Sequence, residues 1–174
     1  MNISFGLFTG ILTTLLFVSG SIPLHAQSSW FDTEEQVQWL SLSEGISQAQ
    51  NSDKIILISV LAENCPYCRK MENNVYSESV IQEGITEYFL PVVIDVNESE
   101  DFVFNGEPIS TNKLLSNWNV MGTPTTLFVD DDLNIIAFQP GYLNPGMYNK
   151  LLHFVGSGAY ATTDFEEFEM DHDH

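Results

Sequence analysis

Two apolar runs dominate the pattern of the chain: Lys54-Ile55-Ile56-Leu57-Ile58-Ser59-Val60-Leu61 and Phe89–Val96. Both are rich in β-branched residues and lack polar alternation, which predicts strands buried on both faces. Between them the period changes. Cys68, Met71 and Val75 fall on one face of a helix beginning near Cys65, and Ser77 restarts a helix bearing Ile81, Ile85 and Tyr88. Upstream, Val37–Leu40 reads as a brief strand, and Ser43 caps a short helix to about Asn51. Downstream, residues 97–109 are acidic and turn-rich, with Asn105-Gly106 closing a tight hairpin. Ser110 or Thr111 caps a helix carrying Leu114, Leu115 and Trp118. Thr125–Val129 and Ile135–Phe138 are strands joined through Asp130–Asn134. Asn144, followed by Pro145, opens a last helix with Met147, Leu151, Phe154 and Val155 as its buried stripe and Gly156 as its end. Parallel pairing comes first and an antiparallel pair later, so helices must cover both faces of a mixed sheet. The fold class is α/β, a three-layer sandwich of four to five strands with a small hairpin insertion.

The first 26 residues follow a different pattern. Ile3 to Val18 is almost continuously apolar, no charged side chain precedes Asp32, and Leu24-His25-Ala26 stands before Gln27. A short apolar stretch, a breaker and a small residue at the cut describe a secretory signal peptide, cleaved between Ala26 and Gln27. An uncleaved membrane anchor is the alternative, though the run is short against the roughly 20 residues of a spanning helix. Either way the domain is exported; in a bacterium it faces the periplasm or outer surface, where disulfide chemistry is normal. The division expected is signal peptide 1–26, lead-in 27–53, core 54–160 with an insertion at about 97–109, and acidic tail 161–174.

Charge narrows the function. Lys and Arg number 5 against 24 Asp and Glu, a formal net charge of −19. A grip on nucleic acid needs clustered cations and is excluded; contact with a membrane is left to the N-terminal segment. Two cysteines cannot build a disulfide-dense scaffold or an all-cysteine metal site. No metal site is expected: His172 and His174 belong to a solvated tail, and His153 faces away from the stripe of its helix. Trp30, Trp39 and Trp118 read as core or rim aromatics, with Trp118 near enough to the Pro124 loop to border a site.

The two cysteines carry the chemistry. Cys65-Pro66-Tyr67-Cys68 lies where a buried strand gives way to a helix. Unpaired N–H groups and the positive end of the helix dipole favour thiolate over thiol there. Thiolate is the nucleophile of disulfide exchange, and Cys68, one turn along and less exposed, can resolve the adduct formed at Cys65. Pro66 sets φ in the first turn without losing a donor, and Tyr67 supplies a flat rim. A structural disulfide or half of a metal site are the plainer readings.

With these landmarks in place, residues 54–158 resemble thioredoxin-fold proteins. The resemblance rests on the strand Ile55–Leu61, on Ala62-Glu63-Asn64-Cys65-Pro66-Tyr67-Cys68-Arg69-Lys70-Met71-Glu72, and on Gly122-Thr123-Pro124-Thr125. The ending from Gly141-Tyr142-Leu143 through Tyr160 is similar to exported thioredoxin-like reductases, including the kind associated with sulfur-oxidation systems. The resemblance implies a cis Pro124 against the cysteine pair, keeping metal from the thiols, and a Thr123 backbone offered to a substrate strand. It also implies a redox-active Cys65–Cys68 disulfide with no other cofactor. The sequence departs from the cytoplasmic pattern at Ser59, where that pattern has a buried Asp, and in Phe89–Val96, which lacks a Lys. Glu63, or a water held by Ser59, is the expected proton acceptor for Cys68. Arg69 and Lys70 offset the negative body near the thiolate, or are simply the solvated side of the helix. The activity implied is thiol–disulfide exchange, in the direction of reducing disulfide-containing client proteins, with a membrane-embedded electron donor. A protein-binding module with a locked disulfide, and oxidant or isomerase duty on the same fold, are the alternatives. The hairpin at 97–109 is decoration, or a lip that selects partners.

Overall fold

The computed structural model describes residues 37–170. The apolar leader, the Ala26–Gln27 junction, Trp30, His172 and His174 lie outside the described residues.

The apolar run at 55–61 forms strand β1 (Ile55–Leu61), and all but its first residue are buried. It pairs in parallel with β2 (Phe89–Asp95) and antiparallel with β5 (Thr125–Val129), which pairs antiparallel with β6 (Ile135–Pro140). The four-stranded mixed sheet therefore runs β2-β1-β5-β6. Two buried strands in the middle need cover on both sides, and the alternation of side chains supplies it. Ile56, Ile58 and Val60 face one cluster with α1 (Leu42–Ala49) and α4 (Thr111–Asn117), including Leu42, Ile46, Leu114 and Trp118. Leu57 faces the opposite cluster, built from α2 (Pro66–Met71) and the π-helical turn Glu72–Tyr76 that continues it, α3 (Ser79–Tyr88) and α5 (Pro145–Gly156). The three layers expected from the element order are present.

Local chemistry moved several boundaries. The brief strand expected at Val37–Leu40 is a single bridge, Leu40 to Val92. Ser41, not Ser43, caps α1: its side chain accepts from the Glu44 N–H, and the Glu44 carboxylate returns a bond to the Ser41 N–H, a complete capping box. Ser43 instead bonds the Glu100 carboxylate, tying α1 to the segment before the hairpin. Ser77 does not start α3. Its hydroxyl donates back to the Asn73 carbonyl, 2.7 Å away, and α3 follows Glu78 without a side-chain cap. The hairpin forms from β3 (Asp101–Phe104) and β4 (Glu107–Ser110), turning through Asn105 and Gly106 with φ of 50° and 83°. Positive φ at both turn residues is what Asn-Gly supplies.

In α5 the stripe is displaced by one residue at its start. Met147 is exposed, whereas Tyr148 and Leu152 are fully buried. α5 ends at Gly156 as expected, and that glycine also lets α5 approach α3, since a Cβ there would lie 2.6 and 2.7 Å from Tyr88 Cδ2 and Cβ. His153 is half-buried with its ring edge-on to Tyr88, centroids 5.6 Å apart. The acidic segment after 160 carries Phe165 and Phe168, which pack on Phe154.

Candidate functional site

β1 ends at Leu61, and after three intervening residues Cys65 caps α2 with extended backbone (φ −108°, ψ 106°). Pro66 takes the first helical position, where its missing N–H costs nothing. Cys65 and Cys68 form a disulfide with Cα atoms 5.2 Å apart. The Cys68 backbone N–H donates to Cys65 Sγ across 3.0 Å. That donor would remain to stabilise a thiolate at Cys65 once the bond is reduced. Cys65 is 8% exposed and Cys68 2%. Both pack with Leu61, Ala62 and Val93, so the sulfur pair sits at the end of the central strands.

Beside α2 the segments at 122–124 and 141–142 are joined. Gly141, at φ 78°, donates its N–H to the Pro124 carbonyl at 2.8 Å, a conformation glycine adopts without strain. That bond sets Tyr142 beside α2: its ring centroid is 6.4 Å from the exposed Tyr67 ring, and Lys70 Nζ lies 4.4 Å above it. The Thr123–Pro124 peptide is cis. Pro124 is buried and Thr123 half-buried. Thr125 donates its hydroxyl to the Gly122 carbonyl at 2.7 Å, closing the loop on itself.

The supporting residues separate. Arg69 reaches back along its helix to the Glu63 backbone carbonyl, 3.4 Å away, and is exposed, as is Glu63. Ser59 is fully buried, and its hydroxyl has a protein partner: Tyr76 OH at 2.8 Å. Tyr148 OH donates to Tyr76 OH at 3.5 Å, and the two rings meet edge to face. Burial raises the Tyr76 pKa, against the hydrogen bonds to Ser59, Tyr148 and Thr126. Burial, reinforced by Tyr76, raises that of Tyr148 well above the ordinary tyrosine value. A neutral hydroxyl cluster thus occupies the place where the cytoplasmic pattern has a carboxylate. Trp118 does not border the site: it is buried on the other face of the sheet, its indole N–H donating to the Leu133 carbonyl.

Tyr76, Tyr148 and Tyr142 were not among the sequence candidates. The π-helical turn that aims Tyr76 inward has no reliable pattern signal. Tyr142 could have been found from Gly141, which follows β6 and marks a turn.

A Cys-x-x-Cys disulfide at a strand-to-helix junction, on a mixed four-stranded sheet covered by helices on both faces, defines a thioredoxin fold. The family model for the thioredoxin-like domain matches residues 42–156, and the chain belongs to that family. Among curated proteins it is 28% identical over 118 residues to the thiol:disulfide interchange protein DsbD of Actinobacillus pleuropneumoniae, covering 67% of this chain and 18% of that one. The chain thus spans less than a fifth of that relative's length. Among solved structures, a thioredoxin-fold protein from Helicobacter pylori superposes with a TM-score of 0.59 at 24% identity, covering 66% of this chain and 76% of that one. A thioredoxin from Thermus thermophilus gives 0.59 at 21% identity, covering 80% and 100%. DsbD is by name a thiol:disulfide interchange protein, the two solved structures bear on the fold, and the expected tie to sulfur-oxidation systems finds no support among the three.

Proposed function

We propose that this protein is an exported thiol–disulfide oxidoreductase that reduces disulfides in client proteins. The observation that carries the reading is the Cys65–Cys68 pair at the start of α2, with the Cys68 N–H directed at Cys65 Sγ. In the reduced state the Cys65 thiolate attacks one sulfur of a client disulfide. The client S–S bond breaks, a mixed disulfide forms, and the released client sulfur takes a proton. Cys68, as thiolate, then attacks Cys65 Sγ; the second client thiol leaves and the Cys65–Cys68 disulfide remains. Two electrons have passed to the client, and a membrane-embedded dithiol donor returns them. The Thr123 backbone receives the client strand, and Pro124 beside it keeps metal from the thiols. The similarity to DsbD, a thiol:disulfide interchange protein, supports the interchange chemistry.

The test is insulin reduction driven by dithiothreitol. Stimulation by the wild type and its loss in Cys65→Ser are expected; a wild type no faster than dithiothreitol alone would overturn the proposal. The equilibrium of the Cys65/Cys68 couple with glutathione then decides direction, with 30 mV corresponding to about 1.4 kcal/mol.

A further inference from the structure

In a chain with 24 acidic and 5 basic side chains, every cation has carboxylates in excess. Among the described residues, however, none of the five cations has a carboxylate within ion-pair reach, and Arg69 and Lys70 are the two that stand side by side, on the exposed side of α2 directly after Cys68. Arg69 spends one N–H on the Glu63 carbonyl, and Lys70 rests on the Tyr142 ring. Neither contact neutralises a charge. Both contacts tie the cations to neighbours of the Cys-x-x-Cys segment: Glu63 stands two residues before Cys65, and the Tyr142 ring lies near that of Tyr67, between the two cysteines. The result is a ledge of two cations and two aromatic rings along one rim of the sulfur pair.

We propose that this ledge is a docking site for acidic residues flanking the client's disulfide. The inference rests on the reductase reading and adds the charge of the substrate. Charge complementarity selects this occupant. The ledge offers unneutralised positive charge where the client must lie, and a carboxylate is the group that matches a guanidinium fork and an ammonium. The net charge of −19 opposes any acidic partner at long range. At 0.15 M salt, however, charges are screened within about 8 Å, so the groups at the rim govern a bound client and the distant carboxylates do not.

The experiment uses the pre-reduced full chain, freed of reductant, in single turnover at 0.15 M salt. Three synthetic peptides, each closed by one disulfide, differ only in two residues beside the cysteines: Glu-Glu, Gln-Gln or Lys-Lys. The wild type should reduce the Glu peptide about three- to tenfold faster than the Gln peptide, since each exposed ion pair contributes only a small factor. In Arg69→Gln/Lys70→Gln that ratio should fall to about one, and in Arg69→Glu/Lys70→Glu the Lys peptide should become the fastest. Because the ratio is internal to each variant, a general loss of reactivity does not imitate the result. Slowing of all three peptides by the same factor would mean that the cations act only on the Cys65 thiolate, and would overturn the docking site. A wild-type preference for the Lys peptide would overturn it as well. Failure of the wild type to reduce any peptide would instead sink the reductase reading. In that case, chemical-shift changes at Lys70 and Tyr142 on adding a cysteine-free Glu peptide to the disulfide form would uphold the docking site, and their absence would refute it.

Discussion

Removing the Tyr76 hydroxyl should reveal how the buried polar cluster under β1 is held together. Ser59 is completely buried and Tyr76 is 5% exposed, with their oxygens 2.8 Å apart. Tyr76→Phe leaves Ser59 buried without this partner, and Tyr148 loses the acceptor for its hydroxyl. An unsatisfied buried hydroxyl costs about 1–3 kcal/mol, which sets the expected loss. Ser59→Ala should cost less, about 1 kcal/mol, because Tyr76 keeps its bonds to Tyr148 and Thr126. Removing both partners together avoids stranding either one, so the double variant should be no less stable than Tyr76→Phe alone. The coupling is then about 1 kcal/mol, to be read from urea unfolding of the disulfide form at pH 7 with slopes checked for equality. Additivity of the two single losses to within about 0.4 kcal/mol would refute the reasoning.

Two further predictions come from the same core. Tyr76 and Tyr148 have raised pKa values in the folded state, so the native protein holds their protons where the unfolded chain has released them. Their contribution is fully present below about pH 10, the unfolded tyrosine value, and is lost as pH rises beyond it. Urea midpoints should therefore fall above pH 10, and less steeply in the double Phe variant at these positions; parallel curves would contradict this. Gly156→Ala forces a methyl into Tyr88. Overpacking of about 1–3 kcal/mol should outweigh the helix-propensity gain of at most about 1 kcal/mol, lowering the thermal midpoint; an unchanged or higher midpoint would show that α3 and α5 separate freely.

What the sequence disclosed follows from how each signal arises. The continuous run at 55–61 could only be a strand covered on both faces, and Asn105-Gly106 and Asn144-Pro145 name their own backbone conformations. The cysteine pair was legible because its spacing and its place after a buried strand carry the chemistry together. Choices among equivalent donors and acceptors were not legible. Ser41 and Ser43 are both credible caps, and only the position of Glu44 relative to Ser41 completes the box. Met147 and Tyr148 compete for one side of α5, and tertiary contact with Tyr76 decides for the tyrosine. The partner of Ser59 was hidden because a π-helical turn, which aims Tyr76 inward, changes the helical period on which such reasoning depends.

The proposed exchange chemistry requires that Cys65 be a thiol that ionises readily beside its partner. The most direct measurement is the rate of alkylation of Cys65 by iodoacetamide as a function of pH, in reduced Cys68→Ser, which keeps the backbone N–H at position 68. The half-maximal rate should fall clearly below the pH of about 8.5 at which a free cysteine ionises. A profile that coincides with free cysteine would contradict the central claim.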